Sequence, residues 1–386
     1  MIHESPFVFG TTVSNKSFTN REKEVEKLYL NLCQGINTTI ISPRRWGKSS
    51  LVEKVVNEIK ENEPGIKTVV IDLFTIGSEE EFYETFAREV IRCSSGKWED
   101  WIKSGKEFFK LLVPKLSVGM DPATDFSLSF DWTELKKHKD EILNLPETIA
   151  QKKNIRFVIC LDEFQNLSNY DGYEVLEKRM RACWQRHKKV NYCLYGSKRH
   201  MMSEIFNNPS KPFFRFGDIM LLKRIRLDKW VSFITAAFKD TGKTISPAYA
   251  ELLVQCMKRH SWYVQQLAHY VWQKTSDTAG SRELNEALTE LLAANSPLYQ
   301  KEVEVLSRTQ LNLLKAIVSG ATQLTSVDVM ETYRLGTPRN VSKNKTKFIN
   351  QDIIQKAGNQ YEMLDPAFEL WFRQQYFDQH FSFDNR

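Results

Sequence analysis

Apolar positions follow two rhythms along this chain, and the change falls near Arg226. In the first part, short apolar runs alternate with longer amphipathic segments. Thr38-Thr39-Ile40-Ile41, Thr68-Val69-Val70-Ile71-Asp72-Leu73, Phe157-Val158-Ile159-Cys160-Leu161, Asn191-Tyr192-Cys193-Leu194-Tyr195 and Ile219-Met220-Leu221-Leu222 read as five strands. Helices are expected over residues 19–31, over the segment opening Leu51-Val52-Glu53-Lys54-Val55-Val56, and over residues 79–91. Strands that alternate with helices form a parallel sheet covered on both faces, since each parallel crossover is long enough to hold a helix. Between Ser94 and His138 the pattern turns to polar–apolar alternation, around a turn at residues 120–125. This predicts an inserted β-hairpin, either a partner-binding arm or a loop packed on its own domain.

From about Arg226 the strands stop. Trp230, Phe233, Ile234, Ala237 and Phe238 keep helical spacing, as do Val264, Leu267, Ala268, Val271 and Trp272, and again Leu284, Ala287, Leu288, Leu291 and Leu292. Gly242 ends the first of these helices and Ser246-Pro247 starts the next. The last segment predicts three helices, around residues 309–319, over 326–333 and from Pro338 to about Ile349. A hairpin follows, with strands at Asp352-Ile353-Ile354 and Tyr361-Glu362-Met363-Leu364 about a turn at Ala357-Gly358-Asn359. Three helices and a two-stranded wing make a winged helix-turn-helix. The expected domains are residues 1–225, with the hairpin inserted around 95–138, then a helical lid at 226–300 and a winged helix at 301–386.

The first strand runs directly into Ser42-Pro43-Arg44-Arg45-Trp46-Gly47-Lys48-Ser49-Ser50, which opens onto a helix. A tight loop at a helix N-terminus cradles anions with its backbone N–H groups; Lys48 adds a charge and Ser49 a metal-binding hydroxyl. This is a phosphate-binding loop with Ser42 in place of its first glycine, so proline stiffness at Pro43 is expected to hold the turn. The third strand ends in Asp162-Glu163, where open α/β sheets place their ligands. Asp162 would hold Mg²⁺ through water, and Glu163 would serve as general base or orient the attacking water. The other reading is that the two carboxylates cap the next helix.

The 386 residues, 41% of them hydrophobic, suffice for a core in each domain. No apolar run spans a bilayer and residues 1–6 lack the pattern of a signal peptide, so no membrane association is expected. Cys33, Cys93, Cys160, Cys183, Cys193 and Cys256 form no C-x-x-C pair, which points to reduced thiols and a cytoplasmic protein. A net charge of +6 does not diagnose a nucleic-acid partner.

Taken together, Phe18-Thr19-Asn20-Arg21-Glu22, Pro43-Arg44-Arg45-Trp46-Gly47-Lys48-Ser49, Leu161-Asp162-Glu163-Phe164, Gly196-Ser197, Pro212-Phe213-Phe214-Arg215, Tyr263-Val264-Gln265-Gln266 and Tyr361-Glu362-Met363-Leu364-Asp365-Pro366 carry a resemblance over almost the whole chain. The sequence resembles the archaeal-type ATP-binding proteins of the AAA+/STAND group of P-loop ATPases. The resemblance implies an α/β fold: a P-loop NTPase parallel sheet ordered 5-1-4-3-2, a helical lid and a C-terminal winged-helix domain, with ATP and Mg²⁺ as cofactors. It implies that Pro43 through Ser50 line the nucleotide, that Phe7 and Val8 belong to the stretch packing on adenine, and that Ser197 reads the γ-phosphate. Arg215 resembles an arginine finger, with a helix-end salt bridge as the alternative. Relatives carry Gly-x-Pro on the lid helix, where this chain has Arg259-His260-Ser261. Arg259 is therefore the candidate for a lid charge, and His260 reads as structural.

The expected function is a Mg-dependent ATPase of slow turnover that switches conformation with its nucleotide and reports to a protein partner. The rival is a DNA-binding winged-helix protein with a regulatory nucleotide site, supported by Arg339, Lys343, Lys345 and Lys347. Asp328, Glu331 and the aromatic tail of Trp371, Phe372, Tyr376 and Phe377 favour protein docking instead. A nucleotide adaptor without turnover is a third possibility, against which Glu163 argues. A homo-oligomer formed with nucleotide would let Arg215 act across an interface.

Overall fold

The computed structural model describes residues 4–11, 21–94, 117–119, 127–129 and 138–384. The chain divides into two compact units: Glu22–Arg44 with Lys48–Leu222, and Met1–Arg21 with Arg45–Gly47 and Lys223–Arg386. The expected cap residues Thr19 and Asn20, and the turn of the inserted hairpin, lie outside the described residues.

The first unit runs α1 (Glu22–Cys33), β1 (Thr38–Ile41), α2 (Lys48–Asn62), β2 (Ile66–Asp72), α3 (Glu79–Ser94), β3 (Ser117–Gly119), β4 (Ser127–Ser129), α4 (Lys139–Lys153), β5 (Arg156–Asp162), α5 (Tyr173–Trp184), β6 (Val190–Gly196), α6 (Arg199–Asn207) and β7 (Asp218–Leu221). Five parallel strands stand in the order β2-β5-β6-β1-β7. Counted among the core strands alone this is 2-3-4-1-5, which is the expected order read from the opposite edge. Ile41 is level with Gly196, and Asp72 with Asp162, so the C-terminal ends of the strands form one rim. β3 and β4 form the antiparallel pair expected of the insertion, with Val118 opposite Leu128.

The centre of this sheet is apolar because both of its faces are covered. Phe157 through Leu161 of β5 are fully buried, which is why that strand reads as an unbroken apolar run. Trp184 stacks on Tyr192 at 4.0 Å and on Phe86 at 6.2 Å, closing one face under α3 and α5. Each of the six cysteines is a free thiol.

The second unit runs α7 (Leu227–Asp240), β8 (Thr244–Ile245), α8 (Pro247–Cys256), α9 (Ser261–Lys274), β9 (Thr278–Ala279), α10 (Ser281–Glu304), α11 (Arg308–Val318), α12 (Val327–Thr332), α13 (Pro338–Asn350), β10 (Ile354–Ala357), β11 (Gln360–Met363) and α14 (Pro366–Phe377). Ser246, Ser307, Ser326, Thr337 and Asp365 each cap a helix through a side-chain oxygen, so polar punctuation sets most of the boundaries. Strands do not stop at Arg226: β8 and β9 form a parallel bridge, too short to leave a period in the sequence. The aromatic tail packs largely into the core of its own unit. Trp371 and Phe372 are buried on α14, where Phe368 stacks on Tyr299 at 4.9 Å, and Tyr376 and Phe377 pack against the same core. No described helix is long and apolar enough to cross a membrane.

Candidate functional site

Three elements of the first unit bring their polar ends together at the rim of the sheet. Lys48 and Ser49 open α2, Asp162 ends β5 with Glu163 directly after it, and Ser197 follows β6. Lys48 Nζ donates to Glu163 Oε1 at 2.7 Å and lies 3.5 Å from Asp162 Oδ1. Ser49 Oγ donates to Asp162 Oδ2 at 2.9 Å. The other Glu163 oxygen accepts from Ser197 N at 3.2 Å, from Ser197 Oγ at 2.8 Å and from Gln165 Nε2. Gly196 permits this convergence, since a Cβ there would stand 2.0 Å from Gln165 Oε1.

The Glu163 backbone is left-handed at φ 50°, and its side chain does not cap the backbone N–H groups of the 3-10 turn it precedes. Such a conformation is costly for a residue other than glycine, and here it turns the carboxylate into the rim. Burial pushes this carboxyl towards its neutral form, but the Lys48 charge and the bonds from Lys48, Gln165 and Ser197 outweigh it and hold the group at about 2. Its stabilising effect is present above the ordinary value of 4.5 and is lost as pH falls through about 2. Asp162 moves the other way: burial outweighs Lys48 and Ser49 and raises its carboxyl above the ordinary value.

A hydroxyl and a carboxylate oxygen, Ser49 Oγ and Asp162 Oδ2, are the hard donors that Mg²⁺ prefers, and they leave the rest of its shell to water and phosphate. The chemistry of these donors fits that ion. The loop before them also fits an anion: Arg45 and Gly47 are both left-handed, at φ 62° and 87°, the alternation that turns successive N–H groups inward. Ser42, which stands where such loops carry their first glycine, is fully buried and donates to the Pro43 carbonyl at 3.1 Å. The turn therefore gets its left-handed residues further on, one of them from an arginine.

Residues 297–374 match the family model described as a probable winged helix domain. No curated protein matches the chain. Among solved structures, the Walker-type ATPase of Pyrococcus abyssi is similar at 17% identity and TM-score 0.64, over 97% of this chain and 99% of that one. The ORC2 protein of Aeropyrum pernix is similar in its ADPNP–ADP complexes, at 14% identity and TM-score 0.56 over 93% and 95% of the two chains. Its ADP form aligns at 13% identity and TM-score 0.54, over 94% and 97%. The fold is that of an AAA+ P-loop ATPase with a C-terminal winged helix.

In this AAA+ fold the expected site residues fall into three groups. Lys48, Ser49, Asp162, Glu163 and Ser197 meet at the rim, and exposed Arg44 reaches Ser197 Oγ at 3.5 Å, while Pro43 and Ser50 are buried beside them in the sequence. Arg45, Trp46 and Gly47 belong by their contacts to the second unit, as do Phe7 and Val8. Phe7 is buried there at 5.7 Å from Phe238 and 6.0 Å from Phe233, and Val8 is half-buried. Arg215 stands apart from the rim cluster: exposed, at φ 53°, with its guanidinium 5.1 Å from the Phe214 ring and no described carboxylate pairing with it. Arg259 is exposed at φ 58°, and His260 is buried with Nδ1 unbonded. Burial, with the Arg45 and Arg224 charges, pushes the His260 imidazole down to about 3 and keeps it neutral.

Sequence reasoning missed Gln165. A polar residue three positions past a strand reads as surface turn, and only the tight 3-10 geometry brings its amide back to Glu163.

Proposed function

We propose that this protein binds Mg-ATP at residues 42–50 and hydrolyses it, and that it acts as a nucleotide-driven switch. One observation carries the reading: the Glu163 carboxylate is held at the strand ends by Lys48, Gln165 and Ser197 together. Lys48 would leave Glu163 for the phosphates of ATP, and the freed oxygen would accept a proton from water while Gln165 and Ser197 keep the carboxylate aimed. Ser49 and Asp162 would hold Mg²⁺, whose chemistry is to neutralise charge developing on the phosphate oxygens. The ATPase and adenine-nucleotide descriptions of similar folds agree with this reading. Phosphate release from ATP by the purified protein, with Mg²⁺ and with excess EDTA, is the test. Turnover that depends on Mg²⁺ is expected, and no release above the spontaneous rate at saturating Mg-ATP would refute it.

Arg215 supports a further part of this reading, action in trans on a neighbouring copy. It is an exposed arginine in a left-handed turn with no described acid to pair with. Arg215→Ala and Glu163→Gln proteins, each weak alone, are expected to regain part of the activity when mixed, because a mixed interface pairs one intact arginine with one intact carboxylate. A protein that stays monomeric with ATP and keeps full activity on dilution would exclude this.

A second reading, that the winged helix also engages DNA, rests on α13. Arg339, Lys343 and Lys347 are exposed at successive turns of one face, the helix holds no acidic residue, and Val341, Asn344 and Phe348 turn inward. With Trp371 and Phe372 buried and Tyr376 and Phe377 half-buried, this cationic face is the better candidate for a partner surface. Replacing Lys343, Lys345 and Lys347 with glutamine should weaken binding to duplex DNA and reduce the log–log salt slope by about 0.9 for each phosphate that a lysine no longer neutralises. DNA binding with an unchanged salt slope in this variant, or none in the parent protein, would remove the DNA role.

A further inference from the structure

The tip of the phosphate loop is gripped by side chains of the second unit that have no chemistry to perform. Arg21, 3% exposed, donates to the Trp46 carbonyl at 2.9 Å and to the Lys223 carbonyl at 3.2 Å, tying the loop to the segment that enters α7. The next residue of that segment, Arg224, sets its guanidinium 5.6 Å from the Trp46 ring and donates to Glu362 Oε1 at 2.8 Å. Glu362 lies on β11 of the wing, and the same oxygen accepts from Gln355 Nε2 at 2.6 Å across the hairpin. Trp46 itself is buried, edge-on to neutral His260 at 6.4 Å, and Arg45 lies over the Trp262 ring at 4.5 Å.

We propose that Arg224 and Glu362 are positioning residues through which the wing hairpin controls the affinity of the phosphate loop for ATP. This rests on the ATP-binding reading of that loop. An anion cradle needs its N–H groups pre-aimed, while Arg45 holds a left-handed conformation that L side chains leave when released. Trp46 keeps the loop from relaxing because its carbonyl is bonded by Arg21 and its ring is held against Arg224 and His260. Arg224 is the member of that environment that also answers to the wing. Displacing the wing pulls on Glu362, withdraws Arg224 from the indole and loosens the residue two positions before Lys48. Coupling of this kind is reciprocal, so ATP binding tightens the hold on the wing by the same factor.

The test uses the full-length protein with Arg224→Ala, Glu362→Gln and the charge-exchanged pair Arg224→Glu with Glu362→Arg. Mg-ATP affinity is measured by calorimetry, KM and kcat by phosphate release, and fold by thermal midpoint. Each single variant is expected to weaken ATP binding and raise KM at least about 5-fold, with kcat changed much less, and the exchanged pair to recover part of the loss. Glu362→Gln keeps shape and one hydrogen bond, so it reports on coupling even where Arg224→Ala lowers the thermal midpoint. Folded single variants that bind ATP as the parent does would overturn the proposal. So would an exchanged pair that regains the thermal midpoint without regaining affinity. If the parent protein binds no Mg-ATP, the reading of the loop fails first, which is a different result.

Discussion

Lys48→Ala is expected to lose measurable ATP binding and, at the same time, to destabilise the protein in the absence of nucleotide. The first effect follows from the loss of the buried cation that opens α2 at the rim, an interaction that backbone N–H groups do not replace. The second follows from geometry particular to this rim. Lys48 is 2.7 Å from Glu163 and 3.5 Å from Asp162, and all three side chains are less than a fifth exposed. Removing the cation strands two carboxylates in a desolvated place, a change that costs about 3–5 kcal/mol in comparable buried pairs. Adding Glu163→Gln to the Lys48 variant takes away one of the stranded charges, so thermal stability should recover while ATP binding does not. Calorimetry with ATP and a thermal melt on the same samples separate the two effects. A folded Lys48→Ala protein that binds ATP like the parent would contradict the assignment of the loop.

Glu163→Gln is expected to keep ATP and Mg²⁺ and to lose turnover. The amide preserves shape and still accepts from Ser197 and Gln165, but it cannot take a proton from water, and general-base catalysis is worth roughly 10²–10⁴-fold. Affinity should hold or rise, since Lys48 no longer has a carboxylate to leave when phosphate arrives. kcat then falls with little change in KM, the pattern of an interaction made only in the transition state. Asp162→Asn should instead shift the dependence on Mg²⁺. If Glu163→Gln turned over like the parent while Asp162→Asn lost metal, Glu163 would serve only to shape the turn at Phe164.

The parts of this site that were legible in the sequence are those where chemistry restricts the residue type. Lys48, Ser49 and the Asp162-Glu163 pair stand where an apolar run meets a helix start, and that junction survives in one dimension because parallel strands are buried on both faces. The winged helix was equally visible, since the helices that Ser307, Ser326 and Thr337 cap lie within two residues of the three expected before the hairpin. The strand order, by contrast, came only from family resemblance; no periodicity tells β1 to insert between β6 and β7.

What stayed hidden has physical causes. Left-handed Arg45, Glu163 and Arg215 leave no mark, because only glycine and asparagine advertise that conformation. The grip on Trp46 joins residues 21, 46, 224 and 362, far apart in sequence, and its members look like ordinary surface charges until Arg21 is seen buried. The aromatic tail misled for the opposite reason. Phe368, Trp371 and Phe372 share helical spacing, the pattern of a helix with a core to pack on, and the core was α10 of the same unit.

Whether residues 42–50 form a nucleotide site is decided by a calorimetric titration of ATP into the full-length parent protein, with Mg²⁺ and again with EDTA. One site per chain is expected, occupied with Mg²⁺, weaker without it, and abolished by Lys48→Ala. No binding in either condition by a folded protein, or binding that Lys48→Ala leaves intact, would contradict the assignment of ATP to this loop.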